Sequence, residues 1–332
     1  MLVQPVPPSG LPKRFGWVGL IDPLGFSMAF HLRQKLPKDT ALIVYDIDPY
    51  ICEKFVRETT SAGGVKVAKN AREVTENSDC LISLVPEGSH VKEVYLTPET
   101  GALATDTSGK LFIDCSTIDI TTSLLICHAV KDSSSSARFF DAPVLGGTLN
   151  ASSGTVTFMV GSSPSDPHFP LLHDIFSLMS TKVHALGGPS LGLAAKLSNN
   201  YLSGLIALGT SEAMNLGMRL GIDPHVLSAC FRTSSGGSYI NDNANPAPGV
   251  CPDSVASRGY QGGFTEVQLM KRDISLAIKV AEEVGAKMVL AEPGLKAYTA
   301  ASEDPRCREK DYTVVYRWLG GVEPEVQQSP EQ

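Results

Sequence analysis

Apolar residues follow two rhythms along this chain. In the first half, short apolar runs alternate with helical stretches. Phe15–Leu20, Ala41–Tyr45, Val65–Ala68, Cys80–Val85, Leu111–Asp114 and Phe139–Ala142 read as strands, with helices through Met28–Leu36 and Ile51–Arg57. Runs that are apolar at successive positions belong to strands buried on both faces, as in a parallel sheet covered by helices. After Gly187-Gly188-Pro189 the period becomes helical, and no strand is predicted from there to about Trp318. Asn241–Gly259 reads as an irregular loop within that region, and Ser133–Ser136 as a solvated one. The pattern predicts a tail over 1–13, an α/β domain over 14–188, an all-α domain over 189–321 and a frayed polar tail over 322–332.

The longest uninterrupted helical pattern runs from Leu191 to Asp223, with no proline between Pro189 and Pro224. Apolar residues are almost continuous from Leu193 to Leu208, which predicts one long helix, apolar on more than one side and buried along much of its length. Lys196 stands inside this run, and Asn200 follows four positions later on the same face. A lysine among Leu193, Ala194, Ala195 and Leu197 either reaches water along its stem or has its charged form disfavoured. In the second case the amine exchanges protons near neutral pH, as general acid–base chemistry requires.

The length of 332 residues favours two domains, and 42% hydrophobic with 19% charged residues gives ample core material. A formal net charge of −7 without a basic stripe argues against nucleic acid as a partner. Even the long helix carries Lys196, Glu212 and Arg219, so no membrane span is predicted. Seven cysteines without a C-x-x-C pair indicate a reducing compartment and supply no metal spacing. The start, MLVQPVPPSGLPKRF, lacks a signal core but is basic and rich in proline. This predicts a soluble intracellular protein, not a secreted one, with mitochondrial matrix and cytoplasm both open.

Strand, glycine turn, helix, second strand and acid follow one another at the start of the chain. That is the order of a dinucleotide-binding unit, and it makes the first domain a Rossmann-type, doubly wound sheet leading through the long interdomain helix into the all-α domain. The turn is Gly19-Leu20-Ile21-Asp22-Pro23-Leu24-Gly25. A regular fingerprint has glycine where Ile21 stands and its last glycine one residue earlier, so either the loop bulges or the phosphate site is weakened. Asp46 closes the second strand, where a carboxylate accepts hydrogen bonds from a ribose diol and repels a 2′-phosphate. Gly19, Leu20, Gly25 and Asp46 are thus the expected cofactor residues, and NAD the expected cofactor.

Taken together, these pieces resemble the 3-hydroxyisobutyrate dehydrogenase branch of the β-hydroxyacid dehydrogenases. The likeness runs from about Phe15 to Trp318 through separate blocks: FGWVGL with SMAFHL, VYDIDP, LVP, IDCSTID, FDAPVLGGTLNASSGTVTFMVG, AAKLSNN, GTSEAMNLGMRLGIDP, NPAPGV and YQGGF. The resemblance implies Lys196 as catalytic acid/base and Asn200, Ser116, Gly146 and Gly147 as substrate-binding, the two glycines through backbone N–H groups. It implies Thr117 beside the nicotinamide, Val85 and Pro86 on the adenosine side with His90 near the ribose, and Arg272 approaching the cofactor. Leu145 stands where the family commonly has serine, His90 where it has asparagine and Arg272 where it has lysine.

The implied activity is NAD-dependent oxidation of a small 3-hydroxy acid to its semialdehyde. 3-Hydroxyisobutyrate, from valine breakdown, is the expected substrate. A reductase of a related semialdehyde, and a weakly active dinucleotide-binding paralogue, are the alternatives. The resemblance also implies a homo-oligomer, a dimer or tetramer.

Overall fold

The structure, a computed structural model, describes residues 10–20, 24–263 and 265–323, the side chains of 148 and 149 apart. The chain divides into two compact units, one through Lys196 and one from Leu197.

In the first unit, six parallel strands form one sheet. They are β1 (Arg14–Val18), β2 (Ala41–Tyr45), β3 (Val65–Val67), β4 (Cys80–Ser83), β5 (Leu111–Asp114) and β6 (Arg138–Asp141). Their spatial order is β3-β2-β1-β4-β5-β6, the doubly wound arrangement expected from the sequence. The central strands alternate between two cores. Phe15, Trp17, Leu42, Val44, Cys80, Ile82, Leu111 and Ile113 enter one, while Val18, Ile43, Leu81 and Phe112 enter the other. Burial on both faces is why these strands read as unbroken apolar runs. The helices between them are α1 (Leu24–Lys35), α2 (Pro49–Thr59), α3 (Ala71–Glu76), α4 (Gly88–Leu96) and α5 (Ile120–Ser133). Asp48, Asn70 and Asp119 cap α2, α3 and α5 by accepting a backbone N–H.

A second, mixed sheet is an addition to the expected plan. Its strands are β7 (Val144–Leu145), β8 (Val156–Val160) and β9 (Ser180–Ala185), with α6 (Gly147–Ser152) and α7 (Phe169–Ser177) between them. β7 pairs antiparallel with β8, and β8 parallel with β9. Val156, Phe158 and Val160 face the core shared with Phe15 and Trp17, and Phe158 stacks on Phe176 at 4.2 Å.

From α8 (Leu191–Arg219) onward the described residues hold helices and no strand beyond an isolated bridge between Glu266 and Asp311. The helices are α9 (Pro224–Arg232), α10 (Tyr239–Asn243), α11 (Val267–Val284), α12 (Ala291–Glu303) and α13 (Val315–Trp318). The core of the second unit gathers Ala207, Met270, Ile274, Tyr298, Ala301, Tyr312, Val314 and Val315. Tyr298 donates its hydroxyl to the Gly204 carbonyl at 2.8 Å. A Cβ at Gly204 would lie 3.0 Å from Met270 Sδ, so the small residue sets this packing distance.

The long helix corrects one expectation. After Gly192, its buried residues Leu193, Leu197, Asn200, Gly204, Ala207, Ser211, Met214 and Gly217 form one stripe at spacings of three and four. Leu202 and Leu216, on other sides, are 57% and 63% exposed, so the single chain buries only one apolar face of it. No described helix is long and apolar enough to cross a membrane. Of the expected tails over 1–13 and 322–332, residues 1–9 and 324–332 lie outside the described residues.

Candidate active site

Five strands of the large sheet end on one row. Tyr45, Val18, Ser83, Asp114 and Asp141 stand in register across β2, β1, β4, β5 and β6. The residues just beyond this row include Asp46, Gly19, Leu20, Val85, Pro86, Ser116 and Thr117, so the topology brings most of the expected cofactor positions to one edge. In doubly wound sheets, ligands bind at this carboxyl edge where the strand order reverses, here between β1 and β4.

Gly19 is required there by contact and by conformation. Its φ is +91°, and a Cβ would lie 2.0 Å from the Leu84 carbonyl oxygen. A Cβ on Gly25 would lie 2.7 Å from the Gly19 carbonyl oxygen, so glycine lets α1 start close against β1. Asp46 accepts from Leu20 N at 2.6 Å and from Asp48 N at 2.9 Å, which fixes its carboxylate beside the turn. Ile21 and the extra residue before Gly25 lie outside the described residues. On α4, His90 Nδ1 is buried and has no hydrogen-bond partner among the described residues. A glycine cradle, a ribose-ready acid and an orphaned ring nitrogen together fit a dinucleotide.

Ser116 joins two of the loops at this edge. Its hydroxyl is buried, donates to Asp114 Oδ1 at 2.7 Å and accepts from Val85 N at 2.9 Å. Ser83 also donates to Asp114 Oδ1, at 2.8 Å, and lies 3.0 Å from the Tyr95 hydroxyl. The Ser116 side chain thereby ties the loop after β4 to the loop after β5. Burial pushes the Asp114 carboxyl up to about 6, against the lowering effect of its two serine hydroxyls. Thr117, next in the chain, is half-buried.

Lys196 lies one and a half turns into α8 and is half-buried. Its Nζ donates to the Val144 carbonyl at 2.7 Å. Val144 opens the short strand that leads through Leu145 to Gly146 and Gly147, whose φ values are +125° and +57°. Left-handed backbone at both glycines turns the chain sharply into α6. An amine is thereby held beside a loop of backbone donors, the pairing that an alcohol and a carboxylate on one small molecule would need.

In the second unit, Asn200 is buried and donates Nδ2 to Asp273 Oδ2 at 2.6 Å. Arg272 holds the other oxygen of Asp273 through Nε at 3.0 Å and an Nη at 2.8 Å. Asp273 was not singled out from the sequence. An acid directly after the arginine was the signal available, but nothing local tied it to a residue so far upstream.

The α/β region matches the family described as the NAD binding domain of 6-phosphogluconate dehydrogenase over residues 14–187. Residues 191–319 match the domain described as NAD-binding of NADP-dependent 3-hydroxyisobutyrate dehydrogenase. A probable mitochondrial 3-hydroxyisobutyrate dehydrogenase of Dictyostelium discoideum is 35% identical over 92% of this chain and 91% of its own length. The chain belongs to the 3-hydroxyisobutyrate dehydrogenase family. Other members of this family are similar to it as well. The mitochondrial enzyme of Mus musculus is 34% identical, with 93% of this chain and 88% of its own covered. An NAD-dependent L-serine dehydrogenase of Pseudomonas aeruginosa is 33% identical, with 92% and 97% covered. The solved structure of Mycobacterium tuberculosis 3-hydroxyisobutyrate dehydrogenase with L-serine superposes with a TM-score of 0.82 at 25% identity, covering 93% of this chain and 99% of that one. The protein is accordingly an NAD-dependent hydroxyacid dehydrogenase of this family.

Proposed function

We propose that the chain oxidises 3-hydroxyisobutyrate to methylmalonate semialdehyde, with Lys196 as the general acid/base. The observation that carries this is the hold of Lys196 Nζ on the Val144 carbonyl, next to the Gly146–Gly147 turn. Bound NAD supplies the hydride acceptor. Backbone N–H groups at Gly146 and Gly147 would hold the substrate carboxylate, so that the hydroxyl-bearing carbon is fixed in orientation. A neutral Lys196 amine would accept the hydroxyl proton as the hydride leaves the same carbon, and the ammonium would return it in the reverse direction. Asn200, held by Asp273, would complete the substrate contacts. Gly19, Leu20, Gly25 and Asp46 would carry the pyrophosphate and adenosine ribose. Val85, Pro86, His90, Thr117 and Arg272 would line the rest of the cofactor site.

Asp46 supports NAD over NADP, since a fixed carboxylate repels a 2′-phosphate. L-Serine is the second reading, supported by the Pseudomonas relative's activity. Leu145 is half-buried directly before Gly146, and its apolar branch favours a methyl-bearing acid over one with an ammonium group. The test is NADH formation by the purified protein with NAD or NADP against 3-hydroxyisobutyrate, L-serine and related 3-hydroxy acids. The reading predicts the highest kcat/KM for NAD with 3-hydroxyisobutyrate. Preference for L-serine would move the substrate, and no turnover with 3-hydroxyisobutyrate would overturn the proposed reaction. The exposed Leu202, Leu216 and Leu220 on and just beyond α8 support self-association, which sedimentation would test. The mitochondrial names of several relatives support the mitochondrial matrix, which imaging of the tagged full chain would test.

A further inference from the structure

The start of α8 is built against the edge of the large sheet. Asp141, the last residue of β6, is buried and accepts from Ser190 N at 2.6 Å on Oδ1 and from Leu193 N at 2.9 Å on Oδ2. Helices leave their first N–H groups without intrahelical partners, and here a carboxylate from another element takes them. Ser190 is itself buried and has a φ of +62°. A non-glycine residue holds that left-handed conformation at a cost of about 1–2 kcal/mol. Its hydroxyl donates to Ser123 Oγ at 2.9 Å, a second tie on the same turn.

Room for the carboxylate comes from two glycines. A Cβ at Gly161 would lie 1.8 Å from Asp141 Oδ1, and one at Gly192 would lie 2.7 Å from Oδ2 and 2.2 Å from the Met159 carbonyl oxygen. Burial pushes the Asp141 carboxyl up to about 6, so at neutral pH it is ionised and accepts on both oxygens. The same short segment then reaches Lys196, because the Val144 carbonyl receives its Nζ at 2.7 Å. Asp141 to Val144 therefore grips α8 twice, at its first N–H groups and at the lysine head.

We propose that Asp141 is a positioning residue for the reaction: it holds the strained Ser190 turn and so sets the place of Lys196 against the Gly146–Gly147 loop. This rests on Lys196 being the group that transfers the proton. Without the carboxylate, the strain at Ser190 is released by a change of turn, and the helix start shifts. A shift on the order of 1 Å at a reacting group costs about 100-fold in rate.

The experiment compares Asp141→Asn, Asp141→Asn with Ser190→Gly, and Lys196→Ala, in the full chain. It measures kcat, both KM values and thermal unfolding, with rates referred to folded protein. Asp141→Asn should lower kcat about 100-fold while KM for NAD moves less than about twofold, because β4 and β5 separate β6 from β1 and its glycine turn. Adding Ser190→Gly should restore much of kcat, since glycine keeps a positive φ without the carboxylate. A merely structural Asp141 gives another pattern. Its variant would unfold at lower temperature but turn over normally per folded molecule, or Ser190→Gly would recover stability and not kcat. Either result overturns the proposal. Wild-type turnover by Lys196→Ala would instead overturn the assignment of Lys196, whatever the Asp141 variants do.

Discussion

The first two turns of α8 and the remainder of that helix are held by different forces. From Leu191 to Lys196 the grip is polar: Asp141 on the first N–H groups and the Val144 carbonyl on the lysine head. From Leu197 the grip is mainly small and apolar, through Gly204, Ala207 and Met214 in the second unit, with Asn200 on Asp273 and the Gly204 carbonyl under the Tyr298 hydroxyl as polar ties. A hydrogen bond contributes only about 1 kcal/mol net but fixes direction and distance. Apolar burial contributes more per side chain and fixes little beyond fit. The contrast separates two jobs within one element. Geometry at the amine is set by directed bonds, and retention of the helix by burial.

The apolar stretch is the place to break that contrast most strongly. Ile274 is fully buried in the core that includes Ala207 and Tyr298. Truncation to alanine should cost about 2–5 kcal/mol, read from the urea midpoint, with kcat per folded molecule nearly unchanged. A fall in kcat among folded molecules would mean that packing, too, sets the geometry at Lys196.

The polar row at the strand ends sharpens the contrast from the other side, because it is expected to work at a cost in stability. The folded-state pKa of Asp114 is about 6 against an ordinary 3.8, so the folded chain binds its proton more readily than the unfolded chain. The cost of ionising it is absent below about pH 4, grows between about pH 4 and pH 6, and is complete above, at about 3 kcal/mol. Asp114→Asn should remove that slope, so that wild type and variant differ more in relative stability at pH 7.5 than at pH 4.5, in the variant's favour at the higher pH. Urea midpoints at about those two pH values check it, and equal slopes would show that Asp114 is not strained by burial. Asn200 is one of two polar residues on the buried stripe, with Ser211. Asn200→Ala should raise KM for the hydroxy acid about tenfold, or about 1.4 kcal/mol, with KM for NAD nearly constant. An unchanged KM would make Asn200 a packing partner of Asp273 alone.

The large sheet was legible because its strands are buried on both faces, which writes each of them as a continuous apolar run. Ala41–Tyr45 and Leu111–Asp114 were readable to the residue. The small sheet was not. Val144–Leu145 is too short for any period, and Ser180–Ala185 is mostly exposed or half-buried and has no apolar run. The glycine turn and Asp46 were visible because both sit in local order along the chain. What escaped was the support around them. The ties of Asp114 to Ser83 and of Asp141 to Ser190 join residues far apart in sequence, and nothing in a local pattern marks an acid whose partners are backbone N–H groups. The tie of Ser116 to Val85 N escaped for the same reason, since that partner comes from the neighbouring strand end.

The most direct test of the account is Lys196→Ala, measured for turnover with NAD and 3-hydroxyisobutyrate and, separately, for NAD affinity. Without the amine, kcat should fall by about 10²–10⁴ while NAD binds as in the wild type, because the glycine turn and Asp46 are untouched. A variant that binds NAD and still turns over at the wild-type rate would contradict it, and the proton would have to leave through another group.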